Sequence, residues 1–288
     1  MRWRGERQSD NVEDRRGISF SRGVKIGGRI GGLGLVAVVV ISMLLGIDPS
    51  ALLQIAQNVQ QTSVITDQST LPAANDDMRN FVAVVLAETE DVWQDTFQRA
   101  GRTYEEPKLV LFSGAVESAC GMADSAVGPF YCPADHKVYL DLAFFDELHS
   151  RFGASGDFAQ AYVIAHEVGH HVQTLLGISQ KVTELQSRAS TADKNKLSVM
   201  MELQADCLSG VWAHQARKNR NILEAGDIEE GLNAASAVGD DRIQKRTRGY
   251  VVPDGFTHGS SAQRVSWFKT GLEQGNIQAC NTFQADRL

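Results

Sequence analysis

The sequence predicts an α+β fold, with a small mixed sheet packed on a mainly helical domain and one transmembrane helix near the N-terminus. Between residues 108 and 142, short apolar runs bounded by Gly and Pro are typical of strands. After residue 157, apolar residues recur at helical spacing instead. Near the N-terminus, an uncharged apolar stretch is long enough to cross a bilayer.

The uncharged stretch covers residues 30–47 and follows a segment rich in arginine. No Lys or Arg comes after it before Arg79, so the charge distribution predicts a cytoplasmic N-terminus and a remainder outside the cytoplasm. A cleaved signal peptide is the alternative. The chain would thus comprise a basic cytoplasmic segment (1–29), a single-pass anchor (30–47), a linker rich in Gln, Ser and Thr (48–74) and a folded domain (75–288).

Charge and cysteine content limit the partners and the compartment. The net charge is −7 and the isoelectric point about 5.5, so we expect no nucleic-acid partner. Four cysteines outside the cytoplasm predict two disulfides, for which three pairings exist. Of these we favour Cys120–Cys132, which are close in sequence, together with Cys207–Cys280. Reduced, buried thiols are the alternative, which a cytosolic domain would favour.

Each element of the folded domain has its own boundary signals. Residues 75–77 can cap a helix that runs to residue 100, where Gly101 ends it. Strands are expected at residues 109–112, 114–119 and 137–142. Helices are expected at residues 142–150, 157–176, 192–219, 227–245 and 261–274, the last capped by Ser260 or Ser261.

The helix expected at residues 157–176 contains the motif His-Glu-x-x-His, formed by His166, Glu167 and His170. Positions i and i+4 lie on one helical face, so the two imidazoles can bind one metal ion. Glu167 is rotated by about 100° from His166, which suits a general base beside a water better than a third ligand. The motif therefore predicts a zinc centre that hydrolyses peptide bonds.

A tetrahedral catalytic zinc needs one more protein ligand and an open position. Gln173 and Leu176 stand where a metzincin would carry its glycine and third histidine, so the ligand must come from further along the chain. Glu202 and Asp206 are four residues apart on a later helix. We expect Glu202 to bind zinc, and Asp206 to accept a hydrogen bond from a ligand histidine.

The spacing Glu202-x-x-Ala205-Asp206 after the histidine motif resembles the gluzincin peptidases, in particular the HtpX and CAAX prenyl protease group. Residues 257–264 resemble that group's His-Pro-x-x-x-x-Arg segment, with Gly259 in place of the proline. The resemblance implies that His258 stabilises the oxyanion near the zinc and that Arg264 pairs with Asp206.

A second resemblance covers nearly the whole chain. Residues 1–17, 118–121, 128–133 and 165–171, together with one apolar span, are similar to the bacterial neutral zinc metallopeptidase family of the YpfJ type. A small sheet before the motif helix also matches the zincin order, in which an edge strand pairs with extended substrate. Residues 114–120 are the strand that we expect in that place.

These patterns predict a membrane-anchored zinc endopeptidase whose catalytic domain lies on the periplasmic side of the bacterial inner membrane. Its substrates would be peptides or proteins. The alternative function is a membrane-tethered interaction protein with a structural or degenerate zinc site. An intramembrane protease is disfavoured, because the motif lies in a charged region and only one span is expected.

Overall fold

The computed structural model describes residues 1–17 and 76–284, which belong to one compact unit. The predicted anchor (30–47) and linker (48–74) lie outside the described residues. Among the helices that the structure does describe, none is both long enough and apolar enough to cross a bilayer.

The prediction of a mixed α+β fold with small sheets and mainly helical content is confirmed. The strands are β1 (Val12–Asp14), β2 (Lys108–Phe112), β3 (Ala115–Ser118), β4 (Gly121–Asp124), β5 (Phe130–Cys132) and β6 (Lys137–Asp141). The helices are α1 (Asp77–Arg99), α2 (Ala143–Ser150), α3 (Asp157–Leu175), α4 (Ile178–Arg188), α5 (Thr191–Gln215), α6 (Asp227–Ala237), α7 (Asp240–Arg248) and α8 (Ser261–Gln274). A π-helical turn, Ala216–Arg220, extends α5.

The main sheet has the strand order β1-β2-β6-β5, in which β5 alone runs antiparallel to its neighbour. Strands β3 and β4 form a separate antiparallel hairpin. The prediction that residues 114–120 form the edge strand of the main sheet is therefore wrong. The edge strands of that sheet are β1 and β5, and β5 has only three residues between Pro129 and Pro133, which give a weak strand pattern.

Residues 1–17 are part of this folded unit. Strand β1 pairs in parallel with β2, aligning Val12 with Leu109. Arg7 forms ion pairs with Glu90 and Asp91 of α1. Arg16 pairs with Asp76. The end of the first described stretch (1–17) therefore contacts the start of the second (76–284). Arg7 and Arg16, two of the arginines that predicted a cytoplasmic segment, thus neutralise acidic residues within the unit.

Helix α3 is the central element of the helical half and packs against α1, α5 and α6. It begins after Gly156 and ends before Gly177, whose φ of 76° suits the left-handed position beyond a helix. Helix α8 approaches α5 closely at Gly271, which has no side chain. A Cβ atom there would collide with the carbonyl oxygen of Cys207. Near the start of α8, Arg264 donates a hydrogen bond to the hydroxyl of Tyr162 on the motif helix at 3.2 Å.

Two further expectations have clear outcomes. Both predicted disulfides, Cys120–Cys132 and Cys207–Cys280, are confirmed. The prediction of a single helix at residues 227–245 is wrong, because two helices, α6 and α7, are separated there by Val238 and Gly239. The break leaves the Val238 carbonyl oxygen free to accept a hydrogen bond from Arg264 at 3.3 Å.

Candidate metal centre

Two helices bring the three predicted ligands together. Helix α3 carries His166 and His170 one turn apart, and α5 places Glu202 opposite them. Nε2 of His166 lies 3.1 Å from Oε2 of Glu202, and Nε2 of His170 lies 3.4 Å from Oε1. One donor atom from each of the three residues lies within 4.8 Å of the others.

These separations fit a tetrahedral zinc ion. Zn–N and Zn–O bonds of about 2.0–2.1 Å imply about 3.3–3.4 Å between neighbouring ligand atoms of a tetrahedron. The two observed nitrogen–oxygen distances are 3.1 and 3.4 Å. Two imidazoles and one carboxylate also match the donor set of a catalytic zinc, which keeps one position open.

A hydrogen bond at Nδ1 fixes the orientation of the His166 ring, on the side away from Glu202. Its Nδ1 lies 2.9 Å from Oδ1 of Asp206, a fully buried carboxylate. The guanidinium of Arg264 donates to both oxygens of Asp206, at 2.8 and 2.9 Å. The hydroxyl of Tyr162 donates to the same carboxylate. Asp206 thus holds Nδ1 as the donor and leaves Nε2 to face Glu202.

The second ligand histidine, His170, is oriented by a different group. Its Nδ1 lies 2.8 Å from Oε1 of Gln173, one turn further along α3. The amide nitrogen of Gln173 donates to the carbonyl oxygen of Met201 and to Oε1 of Gln204 on α5. This relay ties the ring of His170 to the helix that carries Glu202.

The site concentrates negative charge around the imidazoles. Burial lowers the pKa of His166, but the charge of Asp206 and hydrogen bonds with Asp206 and Glu202 raise it to about 10. Burial raises the pKa of Glu202, whereas the two histidines hold it well below its usual value. Glu202 is therefore an anionic carboxylate at neutral pH, as a ligand for a divalent cation must be.

A cleft of about 700 Å³ opens over the three ligands. Glu167 lines it beside His166, and burial raises the pKa of this carboxyl group above its usual value, although the two motif histidines oppose the rise. Phe130 and Tyr131 of β5 also line the cleft. A carboxylate with a raised pKa beside a water-accessible cleft can take and return a proton.

His258 lines the same cleft, on the loop between α7 and α8. Its Nδ1 lies 3.2 Å from Oδ1 of Asp240, the first residue of α7. Gly259, which follows, has a φ of 94°, a conformation closed to the proline that the gluzincin segment carries there. The backbone of this loop therefore departs from that of the family's His-Pro segment.

The sequence did not identify Tyr162, Gln173 or Asp240 as site residues. Tyr162 precedes His166 by four residues and Gln173 follows His170 by three, so both share the metal-facing side of α3. Helical spacing could have identified Tyr162 and Gln173.

His171 lies off the metal-facing side of α3 and is fully buried, with Nδ1 3.1 Å from the hydroxyl of Tyr131. Burial lowers the pKa of His171 to about 4, which fits a neutral core residue.

Comparison with known proteins shows the family. A family model described as "Putative neutral zinc metallopeptidase" matches residues 1–283. The chain belongs to this family. The uncharacterized protein YpfJ of Escherichia coli (strain K12) is 51% identical over 290 residues, covering 98% of this chain and 99% of that protein.

Relatives with lower sequence identity occur in mycobacteria. The uncharacterized protein Rv2575 of Mycobacterium tuberculosis (strain ATCC 25618 / H37Rv) is 40% identical over 264 residues, which is 86% of each chain. No solved structure matches this chain. The names of these relatives state no substrate.

Proposed function

We propose that the protein is a zinc-dependent endopeptidase with a zincin-like catalytic arrangement. The observation that carries this proposal is the convergence of His166, His170 and Glu202, with Glu167 beside them in an open cleft. A purely structural zinc site has four protein ligands and no open position, whereas this set supplies three.

The chain's own residues account for the proton transfers. Bound Zn²⁺ would supply Lewis-acid polarisation of the scissile carbonyl and would lower the pKa of a water at the open position. Glu167 takes the proton from the attacking water and delivers it to the leaving nitrogen. His258, on the same cleft, donates a hydrogen bond to the carbonyl oxygen as negative charge develops on it.

The cleft walls suit an extended peptide. Strand β5 is one of the two outer strands of the main sheet, and its residues Phe130 and Tyr131 line the cleft. An outer strand offers backbone groups with which an extended substrate can pair. Apolar residues dominate the rest of the wall, including Phe144, Phe152 and Val163. We therefore propose peptides or unfolded protein segments with apolar side chains as substrates.

The protein is proposed to act at a membrane, outside the cytoplasm. Two disulfides favour an oxidising compartment, and the apolar residues 30–47 favour membrane association. Contacts such as Arg16–Asp76 support an arrangement in which residues 1–17 and 76–284 lie on the same side. This replaces the cytoplasmic N-terminus expected from the arginines, since a single crossing would separate the two parts.

The experiment compares the purified full-length protein with Glu167→Gln, using casein and a fluorogenic apolar peptide. We expect Glu167→Gln to retain zinc and to lose cleavage by at least about 100-fold, because the general base is gone. Glu184→Gln on exposed α4 is the matched control and should behave as wild type. Full cleavage by Glu167→Gln would refute the base assignment, and a wild type that binds zinc without cleaving would favour the structural-site alternative.

A further inference from the structure

One carboxylate organises the loop that carries His258. Oδ2 of Asp240 accepts hydrogen bonds from three consecutive backbone N–H groups, those of Thr257 at 2.7 Å, His258 at 2.7 Å and Gly259 at 3.1 Å. The backbone N–H of Asp240 donates to the carbonyl oxygen of Gly259 at 2.9 Å. Asp240 is only 8% exposed, so these contacts exclude most solvent.

The other oxygen of the same carboxylate meets the imidazole. Oδ1 of Asp240 lies 3.2 Å from Nδ1 of His258, and the hydroxyl of Thr257 lies 3.0 Å from that nitrogen. Nε2 is on the opposite side of the ring, and in the described part of the chain it makes no hydrogen bond. The ring lines the cleft together with His166 and Glu167. One side of the imidazole is therefore held while the other remains available.

We propose that Asp240 is a positioning residue for His258, fixing its ring so that Nε2–H is presented to the oxygen on which negative charge forms. The proposal rests on the proposed peptidase function and deepens it. An anionic partner on Nδ1 selects the Nδ1–H form, so Nε2 can donate only while the ring is a cation. A cationic donor stabilises an oxyanion better than a neutral one.

The carboxylate of Asp240 favours that cation. The hydrogen bond with Asp240 raises the pKa of His258, whereas burial lowers it. The charge of Glu202 also raises it, but a bound Zn²⁺ would cancel that contribution. Arg264 is the opposing charge, but it already pairs with Asp206. The pairing with Asp240 supplies the largest of these influences.

The next residue provides a matched control. Oδ1 of Asp241 accepts hydrogen bonds from the backbone N–H and the hydroxyl of Ser261, both at 2.7 Å. Asp241 thus joins α7 to the start of α8, but it makes no contact with the ring of His258 in the described residues. Replacing Asp241 tests the effect of loosening the same junction without changing the histidine's partner.

The experiment uses full-length protein loaded with zinc and the variants Asp240→Asn, His258→Gln, their double mutant and Asp241→Asn. We expect Asp240→Asn to lower kcat by about 10-fold or more with little change in KM. In the His258→Gln background, Asp240→Asn should cause no further loss of kcat, because its effect acts through the imidazole ring of His258. Asp241→Asn should leave kcat unchanged. Equal losses from Asp240→Asn in both backgrounds would overturn the proposal.

Imidazole NMR gives a readout that needs no peptidase activity. In the wild type, we expect the Nδ1 proton of His258 to persist through its titration while the Nε2 proton is lost. The pKa of His258 should fall in Asp240→Asn and stay unchanged in Asp241→Asn. A wild type in which Nε2 keeps the proton would overturn the proposal, even if Asp240→Asn failed to fold. If the wild type cleaves nothing, the peptidase proposal fails while this pairing is still measured.

Discussion

The Nδ1 atom of His166 lies 2.9 Å from Oδ1 of Asp206, and Arg264 binds both oxygens of that carboxylate. This pairing sets which nitrogen of His166 faces Glu202. It also places a buried positive and a buried negative charge side by side behind the ligand. The orientation of the metal ligand is therefore coupled to the packing of α8 against α5.

Asp206→Asn should weaken zinc binding by about 10- to 100-fold, because the ligand ring loses its anionic partner. It should also lower the free energy of unfolding by about 3 kcal/mol, since Arg264 would remain buried without a counter-charge. Competition with a chromophoric chelator measures the first effect and denaturant unfolding the second. Glu184→Gln is the exposed control. Unchanged zinc affinity in folded Asp206→Asn would show that the pairing does not support the ligand.

Glu13→Gln should weaken the docking of β1 in a pH-dependent way. Burial raises the pKa of Glu13, but hydrogen bonds from Lys137 and Arg15 lower it to about 2, from 4.5. The carboxylate therefore stabilises the fold fully above pH 4.5, and this contribution is lost as the pH falls towards 2.

At pH 7 the loss in Glu13→Gln should be about 1 kcal/mol, which lowers Tm by about 2–4 °C. Denaturant unfolding at several pH values checks this, because the gap between variant and wild type should narrow below pH 4.5. A gap that is independent of pH would mean that the ion pairs of Glu13 contribute nothing.

The contact between Arg16 and Asp76 predicts that both described parts lie on one side of any membrane. Single cysteines introduced as Glu6→Cys and Glu184→Cys occupy exposed positions in residues 1–17 and in α4. In intact Gram-negative cells with a permeabilised outer membrane, a membrane-impermeant maleimide should label both. Labelling of Glu184→Cys with protection of Glu6→Cys would restore the single-crossing arrangement.

Local spacing predicted the metal-facing half of the site. His166 and His170 share a face because they are four residues apart, and the same spacing relates Glu202 to Asp206. The short sequence separation within one disulfide, Cys120–Cys132, was also readable. These features depend on helix geometry or on residues that are near one another in the chain.

Some features that depend on distant segments were not readable. The partner of His258 is Asp240, placed there by a helix break that the charged, helix-like pattern of residues 227–245 conceals. The edge strand β5 has only three residues and is defined by its pairing with β6. Arginines near the N-terminus suit ion pairs as well as a membrane boundary, and the acidic partners of Arg7 and Arg16 lie in distant parts of the sequence.

The central claim is that His166, His170 and Glu202 hold one zinc ion. The most direct measurement is the zinc content and affinity of purified full-length wild type and Glu202→Ala, by elemental mass spectrometry and chelator competition, with Glu184→Gln as the control. We predict one zinc per chain in the wild type and the control, and a large loss of affinity in Glu202→Ala. A folded Glu202→Ala that binds zinc as tightly as the wild type would contradict the account.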